Sequence, residues 1–314
     1  MITINPQISK FRKFVQKSYR ILKLRAFYPY LVLEVVNEVN RIRRTNHYVK
    51  AKNLNKFSLS KLREKKKSKT LFILGSGASI NELRNSDWQM IRENDSVGFN
   101  LWPIHNFVPT FYMFEPSKYP DRVKLVHELL SLKVDEYRDV PMIGVYFGDE
   151  RTNRHLDGFP KELKENTYMS YALIPGKEKH TFEKGLKLIN ESGLYKANLL
   201  FSKRATVARA VLFGFQMGYK DIVLCGVDLN NTKYFYEDEK YKNLPISIPQ
   251  KHQKGNVHNT LDKTYGELTI DIVIQEINKS LLQPNNVNLY IGSRNSALYP
   301  MLPFYFISSS EIIA

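Results

Sequence analysis

From residue 70 onward, short apolar runs alternate with stretches in which apolar residues recur at helical spacing. The runs that predict buried strands are TLFILG (70–75), DSVGFN (95–100), PTFYMF (109–114), VPMIGVYF (140–147), KDIVLCGVD (220–228) and NVNLYIGS (286–293). The amphipathic stretches that predict helices are 79–94, 121–132, 203–219 and 268–283. This alternation predicts an α/β fold with a doubly wound, mostly parallel, Rossmann-like sheet.

A glycine-rich turn, Gly75-Ser76-Gly77, joins the first predicted strand to the first predicted helix. Such a turn lets backbone N–H groups approach an anion at the start of a helix, as in many phosphate-binding sites. Ser79 is the predicted N-cap, and Glu82 follows at capping-box spacing. Because the third glycine of G-x-G-x-x-G and the Lys of a Walker loop are missing, a plain tight turn is the alternative.

The first 69 residues follow a different pattern. Within 8–25, Lys and Arg occupy one face of a predicted helix, and apolar residues at helical spacing occupy the other: Ile8, Phe11, Val15, Tyr19 and Leu22. A second helix is predicted in 31–44, and LREKKKSK (62–69) is interpreted as a charged linker. The predicted domains are a basic helical extension with its linker, 1–69, and a Rossmann-like domain, 70–314.

Charge is concentrated in this extension. Residues 1–69 contain 19 of the 47 Lys and Arg and 3 of the 31 Asp and Glu, so the remainder is electrically balanced. The body of the protein is therefore not a basic DNA-binding domain, and no nucleic-acid partner is expected. We expect residues 8–44 to bind an anionic membrane surface. Packing on the protein's own domain or on a second subunit is the alternative, and RNA binding is a weaker one.

The cysteine content and the hydropathy of the chain limit the kinds of site and the cellular location that we expect. The single cysteine, Cys225, excludes a disulfide framework and a thiolate zinc cluster, and its apolar strand predicts a buried, inert thiol. The N-terminal segment is too charged for a signal peptide, and no apolar run has the ~20 residues of a membrane span. We expect a cytoplasmic protein, peripheral on the inner face of the membrane.

The sheet predicts where a ligand lies. In doubly wound sheets the ligand binds at the carboxyl ends of the strands, near the point where the strand order reverses. The residues that follow the predicted strands are Gly75–Ser79, Asn100, Glu115, Asp228–Tyr236 and Ser293–Ser296.

Candidate reactive groups lie after the strand that ends at Asp228. Its carboxylate can hold a ribose or sugar hydroxyl, and Tyr234 and Tyr236 are close enough in sequence to reach the same pocket. A capping aspartate and surface tyrosines are the alternative. His258, in a polar loop before a long helix, is a candidate general base, with a solvated histidine as the alternative. No histidine or carboxylate cluster of metal-ligand spacing is present in the sequence, so no metal and no cofactor is expected.

The order of these motifs resembles a known family. The segments GSGAS, VGFN, FYMFEP, RATVARAVLFGFQMGYKDIVLCGVDLN and NLYIGSRNSAL, with a histidine loop before the last, are similar to bacterial sialyltransferases of glycosyltransferase family 42. The likeness extends to related enzymes that use CMP-activated nonulosonic acids and covers roughly residues 70 to 300. GYKDIVLCGVDLN is its most specific part. The resemblance implies a GT-A-variant glycosyltransferase fold and a CMP-sugar donor.

The resemblance also implies roles for particular residues. It assigns His258 as base and Tyr234 or Tyr236 as a tyrosine that helps the phosphate leave, with Asn230 at the position of the family's second tyrosine. It assigns to donor binding Gly75, Gly77, Ser79, Asn100, Arg204, Thr206, Asp228, Ser293, Asn295 and Ser296, and we add Ser76, Glu115 and Asn230, which stand where the family has other residues. Glu115 stands where the family has an asparagine, and Val207-Ala208 where it has Ser-Gly, so a different or divergent donor pocket is expected.

The implied reaction is inverting, metal-independent transfer of sialic acid or a relative to a glycan or glycolipid acceptor. Tyrosine hydroxyls and helix N-terminal amides would stabilise the leaving phosphate in place of a cation. The implied acceptors are lipooligosaccharide, capsule or O-antigen intermediates, and a homo-oligomer is left open. The alternatives are a Kdo transferase of the same type, a pterin pyrophosphokinase-like phosphotransferase and a non-catalytic nucleotide- or RNA-binding protein.

Overall fold

The structure is a computed structural model, and it describes residues 27–146, 150–176, 178–242 and 258–306. The predicted basic helix of 8–25 lies outside the described residues. The chain divides into two compact units, Met1–Arg43 and Arg44–Ala314. The division falls inside helix α1 (Phe27–Ala51), earlier than the boundary at residue 70 that the sequence predicts. The predicted helix of 31–44 is confirmed as part of α1.

The second unit is an α/β domain, which confirms the predicted fold class. Its eight-stranded sheet has the order β1-β6-β5-β4-β3-β2-β9-β10, and every neighbouring pair is parallel. The strands are β1 (Asn55–Lys56), β2 (Thr70–Leu74), β3 (Asp95–Phe99), β4 (Phe111–Phe114), β5 (Met142–Val145), β6 (Thr167–Ser170), β9 (Asp221–Cys225) and β10 (Asn288–Ile291). A separate pair joins β7 (Ala172–Leu173) to β8 (Leu200–Phe201).

Helices cover both faces of the sheet. After α1, the described helices are α2 (Leu59–Arg63), α3 (Asn85–Glu93), α4 (Pro120–Leu132), α5 (Val134–Tyr137), α6 (Glu150–Asp157), α7 (Lys161–Lys164), α8 (Lys179–Glu191), α9 (Thr206–Met217) and α10 (Ile270–Ile277). On β2, Leu71 and Ile73 pack into one apolar cluster, and Phe72 and Leu74 pack into the other. A strand buried on both faces has a continuous apolar sequence, which explains why TLFIL is recognisable.

The strand order places the switch point beside β2. The chain runs from β2 through β3, β4 and β5 to β6, and then returns to β9 on the opposite side of β2. Ligands of doubly wound folds bind at such a reversal, at the carboxyl ends of the strands. The edge formed by the ends of β2, β3, β4 and β9 is therefore where the site is sought.

The predicted charged linker of 62–69 is more ordered than its composition indicates. Leu59 and Leu62 of α2 are buried in the core, and Ser58 caps this short helix. The backbone N–H groups of Lys67 and Ser68 donate to Asp95 Oδ2 at 2.8 and 3.0 Å. This segment is fixed to the domain rather than being a free connection.

The predicted helices of 79–94 and 268–283 are both interrupted. A 3-10 turn, Ala78–Glu82, precedes α3, and Asp87 rather than Glu82 accepts a hydrogen bond from the backbone N–H of the N-cap residue, Arg84, at 2.9 Å. The proposed N-cap role of Ser79 is wrong, because its hydroxyl donates to Asp228. In the later stretch, α10 passes into a π-helical segment, Asn278–Leu282, and a 3-10 turn, Gln283–Asn285.

Candidate functional site

A cavity of about 270 Å³ lies at the carboxyl ends of β2, β3, β4 and β9. Its wall is completed by the start of α9, by α4 and by the turn that contains His258. The lining residues are Ser76, Gly77, Phe99, Asn100, Glu115, Arg122, Arg204, Ala205, Thr206, Val207, Gly226, Val227, Asp228, Leu229, Asn231, Lys233, Tyr234, His258 and Thr260. The cavity thus lies at the predicted edge of the sheet.

The backbone of this cavity is strained. Asn100, Arg204 and Leu229 line it with φ angles of 56°, 65° and 65°, in the left-handed region that side chains with a Cβ disfavour. Each conformation costs on the order of 1–3 kcal/mol and persists only where the surrounding fold imposes it. Such residues cluster at ligand-binding and catalytic sites, so this cluster supports a functional role for the cavity.

The glycines of the first turn hydrogen-bond to the end of β9 and to the residue that follows it. The N–H groups of Gly75 and Gly77 donate to the carbonyls of Cys225 and Gly226, both at 2.8 Å. A Cβ on Gly75 would lie 2.4 Å from Gly226 O, and one on Gly77 would lie 2.6 Å from Asp228 Oδ2. Glycine is required here because the loops after β2 and β9 meet in backbone contact. The predicted phosphate cradle needs correcting, since these amides are already occupied.

The anion at this turn is the protein's own carboxylate. Asp228 is buried, and the Ser79 backbone N–H donates to its Oδ2 at 3.1 Å while the Ser79 hydroxyl donates to its Oδ1. Burial raises the pKa of Asp228, and the hydrogen bonds from Ser79 oppose that rise. We call Gly75, Gly77, Ser79, Gly226 and Asp228 the β2–β9 brace. Asp228 lines the cavity, but its carboxylate is already bonded within the brace.

Glu115 follows β4, and buried groups fix its side chain. Oε2 accepts hydrogen bonds from Thr206 Oγ1 at 3.1 Å and from Arg209 Nη2 at 3.3 Å. Arg209 is almost fully buried, and its Nε and Nη2 also donate to Ser202 Oγ. The Glu115 side chain is 38% exposed, so one carboxylate is held from behind and still faces the cavity.

Arg204 hydrogen-bonds to the turn that begins at His258. Its Nε donates to Thr260 O at 3.2 Å, and its Nη2 donates to Asp262 O at 2.7 Å and to Asn259 O at 3.4 Å. These carbonyls belong to the turn that begins at His258. Arg204 lines the cavity as predicted, and its guanidinium also shapes the turn, so its role in binding the donor stays a prediction.

His258 is part-buried in the cavity wall. Its backbone N–H donates to Leu229 O at 3.4 Å, the Thr260 backbone N–H donates to Nδ1 at 3.3 Å, and Nδ1 lies 2.8 Å from Thr260 Oγ1. Burial lowers the pKa of His258, so the ring is neutral at pH 7. A neutral imidazole can accept a proton, which is the first requirement for a general base.

The two predicted tyrosines have different surroundings. Tyr234 lines the cavity, and its ring stacks on that of Tyr236 with centroids 5.1 Å apart. Tyr236 is buried and is not among the lining residues. Burial raises the pKa of both phenols, and the positive charge of Arg122 opposes the rise in each case. Both hydroxyls are therefore protonated at neutral pH and can donate hydrogen bonds.

The other predicted residues form a separate network. Glu82 accepts from Ser293 Oγ and from Asn295 Nδ2, each at 3.1 Å, while Asn230 Nδ2 donates to Asn295 O. Ser296 Oγ donates to Val227 O at 2.6 Å. The cavity lining does not include Glu82, Asn230, Ser293, Asn295 or Ser296, so the structure assigns them to support of the loop after β9.

Arg122 and Thr260 line the cavity and were not predicted from the sequence, whereas Asn231 and Lys233 lie within the predicted segment Asp228–Tyr236 but were not singled out. Arg122 lies in the first turn of α4, where an arginine in an amphipathic helix has the pattern of a solvent-facing residue. Arg209, behind Glu115, had a readable signal, since it is a lone charge within the apolar sequence TVARAVLFGF. Within the described ranges, no group of three or more His, Cys, Asp or Glu side chains forms a metal site.

Two further observations concern described residues outside the cavity. Cys225 is buried, as predicted, and burial raises the pKa of its thiol. None of the helices in the described residues combines the length and apolar character needed to cross a bilayer.

No protein-family model and no curated protein matches the chain. Among solved structures, it is similar to the monofunctional alpha-2,3-sialyltransferase Cst-I from Campylobacter jejuni, with 17% identity and a TM-score of 0.42 over 75% of this chain and 80% of that one. It is also similar to the sialyltransferase CstII from Campylobacter jejuni in complex with a substrate analogue, CMP-3FNeuAc, with 16% identity and a TM-score of 0.42 over 76% and 86%. Both are sialyltransferases, the class of enzyme that the sequence motifs resemble.

Proposed function

We propose that this protein is a glycosyltransferase that moves a nonulosonic acid, sialic acid or a relative, from a CMP-sugar to a glycan acceptor. The observation that carries the proposal is the convergence of Asn100, Thr206, Tyr234 and His258 in one cavity. They come from four separate segments, and the sequence motifs assign each of them to donor binding or to transfer. Convergence of this kind at the switch point of an α/β sheet is typical of an active site.

The proposed reaction is an inverting displacement. An acceptor hydroxyl attacks the anomeric carbon, the bond from that carbon to the phosphate oxygen breaks, and its electron pair leaves with CMP. His258 accepts the proton of the acceptor hydroxyl, and the protonated hydroxyl of Tyr234 donates a hydrogen bond to the leaving phosphate. Both roles agree with the lowered pKa of the histidine and the raised pKa of the tyrosine.

His258 needs a defined tautomer for this role. For Nε2 to accept a proton, Nδ1 has to carry the ring proton, whereas in this structure Nδ1 accepts from the Thr260 backbone N–H at 3.3 Å. The catalytic tautomer therefore gives up that bond and donates from Nδ1 to Thr260 Oγ1, 2.8 Å away. Arg204 fixes the carbonyls of the same turn and thereby the position of the ring. Thr260 and Arg204, neither of which is expected to contact the acceptor, thus orient His258.

We also propose that transfer needs no metal ion and that the enzyme attaches to a membrane. Donors from the protein stabilise the leaving phosphate, so transfer proceeds without a divalent cation. Acceptors are glycolipids or glycans of the lipooligosaccharide, capsule or O-antigen type. The basic residues among 1–69 support attachment of the enzyme to an anionic inner membrane face, where its acceptors are concentrated.

Ligand binding tests the donor class first. Thermal-shift measurements with CMP, CDP, UDP, GDP and ATP, each with and without magnesium, should give a rise in Tm that is selective for CMP and insensitive to magnesium. Transfer assays with CMP-sialic acid and CMP-Kdo then identify the sugar. A shift that requires ATP with magnesium would refute the proposal in favour of phosphotransfer.

The base is tested separately. His258→Ala should keep its affinity for CMP and lose transfer by about a thousandfold, because only the proton-transfer step is affected. Tyr290→Phe, in β10 and not among the lining residues, serves as a control for expression and folding. Transfer by His258→Ala near the wild-type rate would remove this residue as the base.

A further inference from the structure

The arginines in and behind the cavity wall differ in the hydrogen bonds that they already make. Arg204 donates to the carbonyls of Thr260 and Asp262, and the buried Arg209 behind the wall donates to Glu115 and Ser202. Arg122 is half-buried in the same wall, and its guanidinium makes no hydrogen bond or ion pair with any other described residue. It is therefore the arginine of this wall whose donors remain available for a ligand.

The anions of the wall do not neutralise Arg122. The Glu115 carboxylate pairs with Arg209 at 3.3 Å, and the Asp228 carboxylate accepts hydrogen bonds from Ser79. A partly desolvated guanidinium without a partner raises the free energy of the empty site, and an anionic ligand would recover that cost. The cavity is thus prepared for an anion on the α4 side.

The usual anion site of such a fold is already filled. The amides of Gly75 and Gly77 bond to strand carbonyls, and the next turn holds the carboxylate of Asp228. A phosphate at that turn would have to displace Asp228 and would meet its negative charge. The phosphate of a ligand therefore belongs elsewhere in the cavity.

Arg122 and Tyr234 together form a suitable donor set. Both line the cavity, and the charge of Arg122 acts on the phenols of Tyr234 and Tyr236 strongly enough to oppose the rise that burial causes in their pKa. A guanidinium presents paired N–H donors that match two phosphate oxygens, and a protonated phenol adds a third donor.

The geometry points to Arg122 as the phosphate-binding cation of this cavity, with Tyr234 as its partner. In the transfer step, the electron pair of the broken bond between the sugar and the phosphate oxygen goes to that oxygen, and Arg122 stabilises the resulting charge on the phosphate. The identity of the nucleotide as CMP rests on the proposed function, whereas the position of the phosphate rests on the contacts above.

Binding measurements on four forms of the full chain test this assignment: wild type, Arg122→Gln, Arg122→Lys and Lys124→Gln. Lys124 lies on the same helix, is 79% exposed and has the same charge, so its variant controls for the loss of one positive charge. Each form is titrated with cytidine, CMP and inorganic phosphate by ligand-observed NMR, and thermal melts confirm that each is folded.

We expect Arg122→Gln to weaken CMP binding by about ten- to a hundredfold while cytidine binding stays unchanged. Arg122→Lys should recover part of the loss, because the charge remains and the paired donors do not. Lys124→Gln should change CMP affinity by less than twofold. Wild-type CMP affinity in Arg122→Gln, or an equal loss for cytidine and CMP, overturns the assignment.

The same titrations separate this inference from the proposed function. If the wild type binds phosphate but not CMP, and Arg122→Gln loses the phosphate, the phosphate site stands and the CMP-sugar proposal fails. If the wild type binds CMP and Arg122→Gln binds it equally well, the inference fails and the proposal stands. Binding of none of the three ligands by the wild type overturns both.

Discussion

The two sides of the cavity differ in how their polar groups are used. In the β2–β9 brace, glycine amides, a serine and a buried carboxylate satisfy one another. On the opposite side, Glu115 and Arg122, which follow β4 and which we call the β4 wall, keep polar groups available to the cavity. The brace resembles a phosphate-binding loop, whereas the β4 wall resembles no phosphate-binding motif. The partners that polar groups already have are a better guide to ligand chemistry than the resemblance of a turn to a sequence motif.

A methyl group placed in the brace tests whether this turn is structural. Gly75→Ala would bring a Cβ to 2.4 Å from Gly226 O, a contact that requires the backbone to move. We expect a loss of about 3 kcal/mol in the free energy of unfolding, measured by urea denaturation. Ser76→Ala, at the next residue, is the matched control and should change stability by less than about 0.5 kcal/mol.

If Gly75→Ala were as stable as the wild type and lost only nucleotide binding, the turn would be a ligand loop after all. The brace would then not be the structural element that its hydrogen bonds indicate. A loss of stability without a selective loss of CMP affinity would instead support the comparison.

The β4 wall can be tested through the residue that joins it to the core. Glu115→Ala removes a partner of the buried Arg209, whose Nη1 already has no hydrogen-bond partner among the described residues. Leaving this guanidinium less compensated should cost about 2 kcal/mol in unfolding free energy. Glu115→Gln keeps an acceptor oxygen and should cost about half as much. Equal stability of the two variants would show that Arg209 does not depend on this acceptor.

The fold was predictable because its central strands are buried on both faces. TLFIL, DSVGF and DIVLC are buried along nearly their whole length, and their continuous apolar sequences gave the right strands. The edge strand Asn55–Lys56 and the strand Thr167–Ser170 were missed, because one is two residues long and the other has no uninterrupted apolar pattern. Local sequence carries little signal for short strands whose pairing is decided by the sheet.

The site was only partly predictable, for a related reason. The strand-end rule located the cavity and many of its residues, among them Asn100, Glu115 and Asp228. It could not show that Gly75 and Gly77 bond across to β9, because that pairing depends on two segments far apart in sequence. It also could not single out Arg122, which has the helical position of an exposed residue until the fold places α4 beside the cavity.

A buried histidine, His155, lies behind the β4 wall. His155 is 2% exposed and stacks on Phe114, the residue before Glu115, with ring centroids 4.9 Å apart. Neither ring nitrogen has a hydrogen-bond partner within the described part of the chain. Burial, with a smaller contribution from His127, lowers the pKa of His155 to about 3. The folded protein therefore holds this histidine neutral.

Because the pKa of His155 is lower in the folded chain than in the unfolded chain, the free energy of unfolding depends on pH. An unfolded histidine has a pKa of about 6.5, so below that pH the unfolded chain binds a proton that the folded chain does not. The stabilisation from His155 is complete above pH 6.5 and is lost as the pH falls toward 3, with a loss of about 1 kcal/mol at pH 6. His155→Phe should remove this part of the acid sensitivity and keep the stacking on Phe114. Urea denaturation at pH 7.5 and pH 6 measures it, and His180→Phe, on the surface helix α8, is the matched control. An unchanged pH dependence in His155→Phe would mean that other groups set the acid limit, and the β4 wall would then be no more acid-sensitive than the brace.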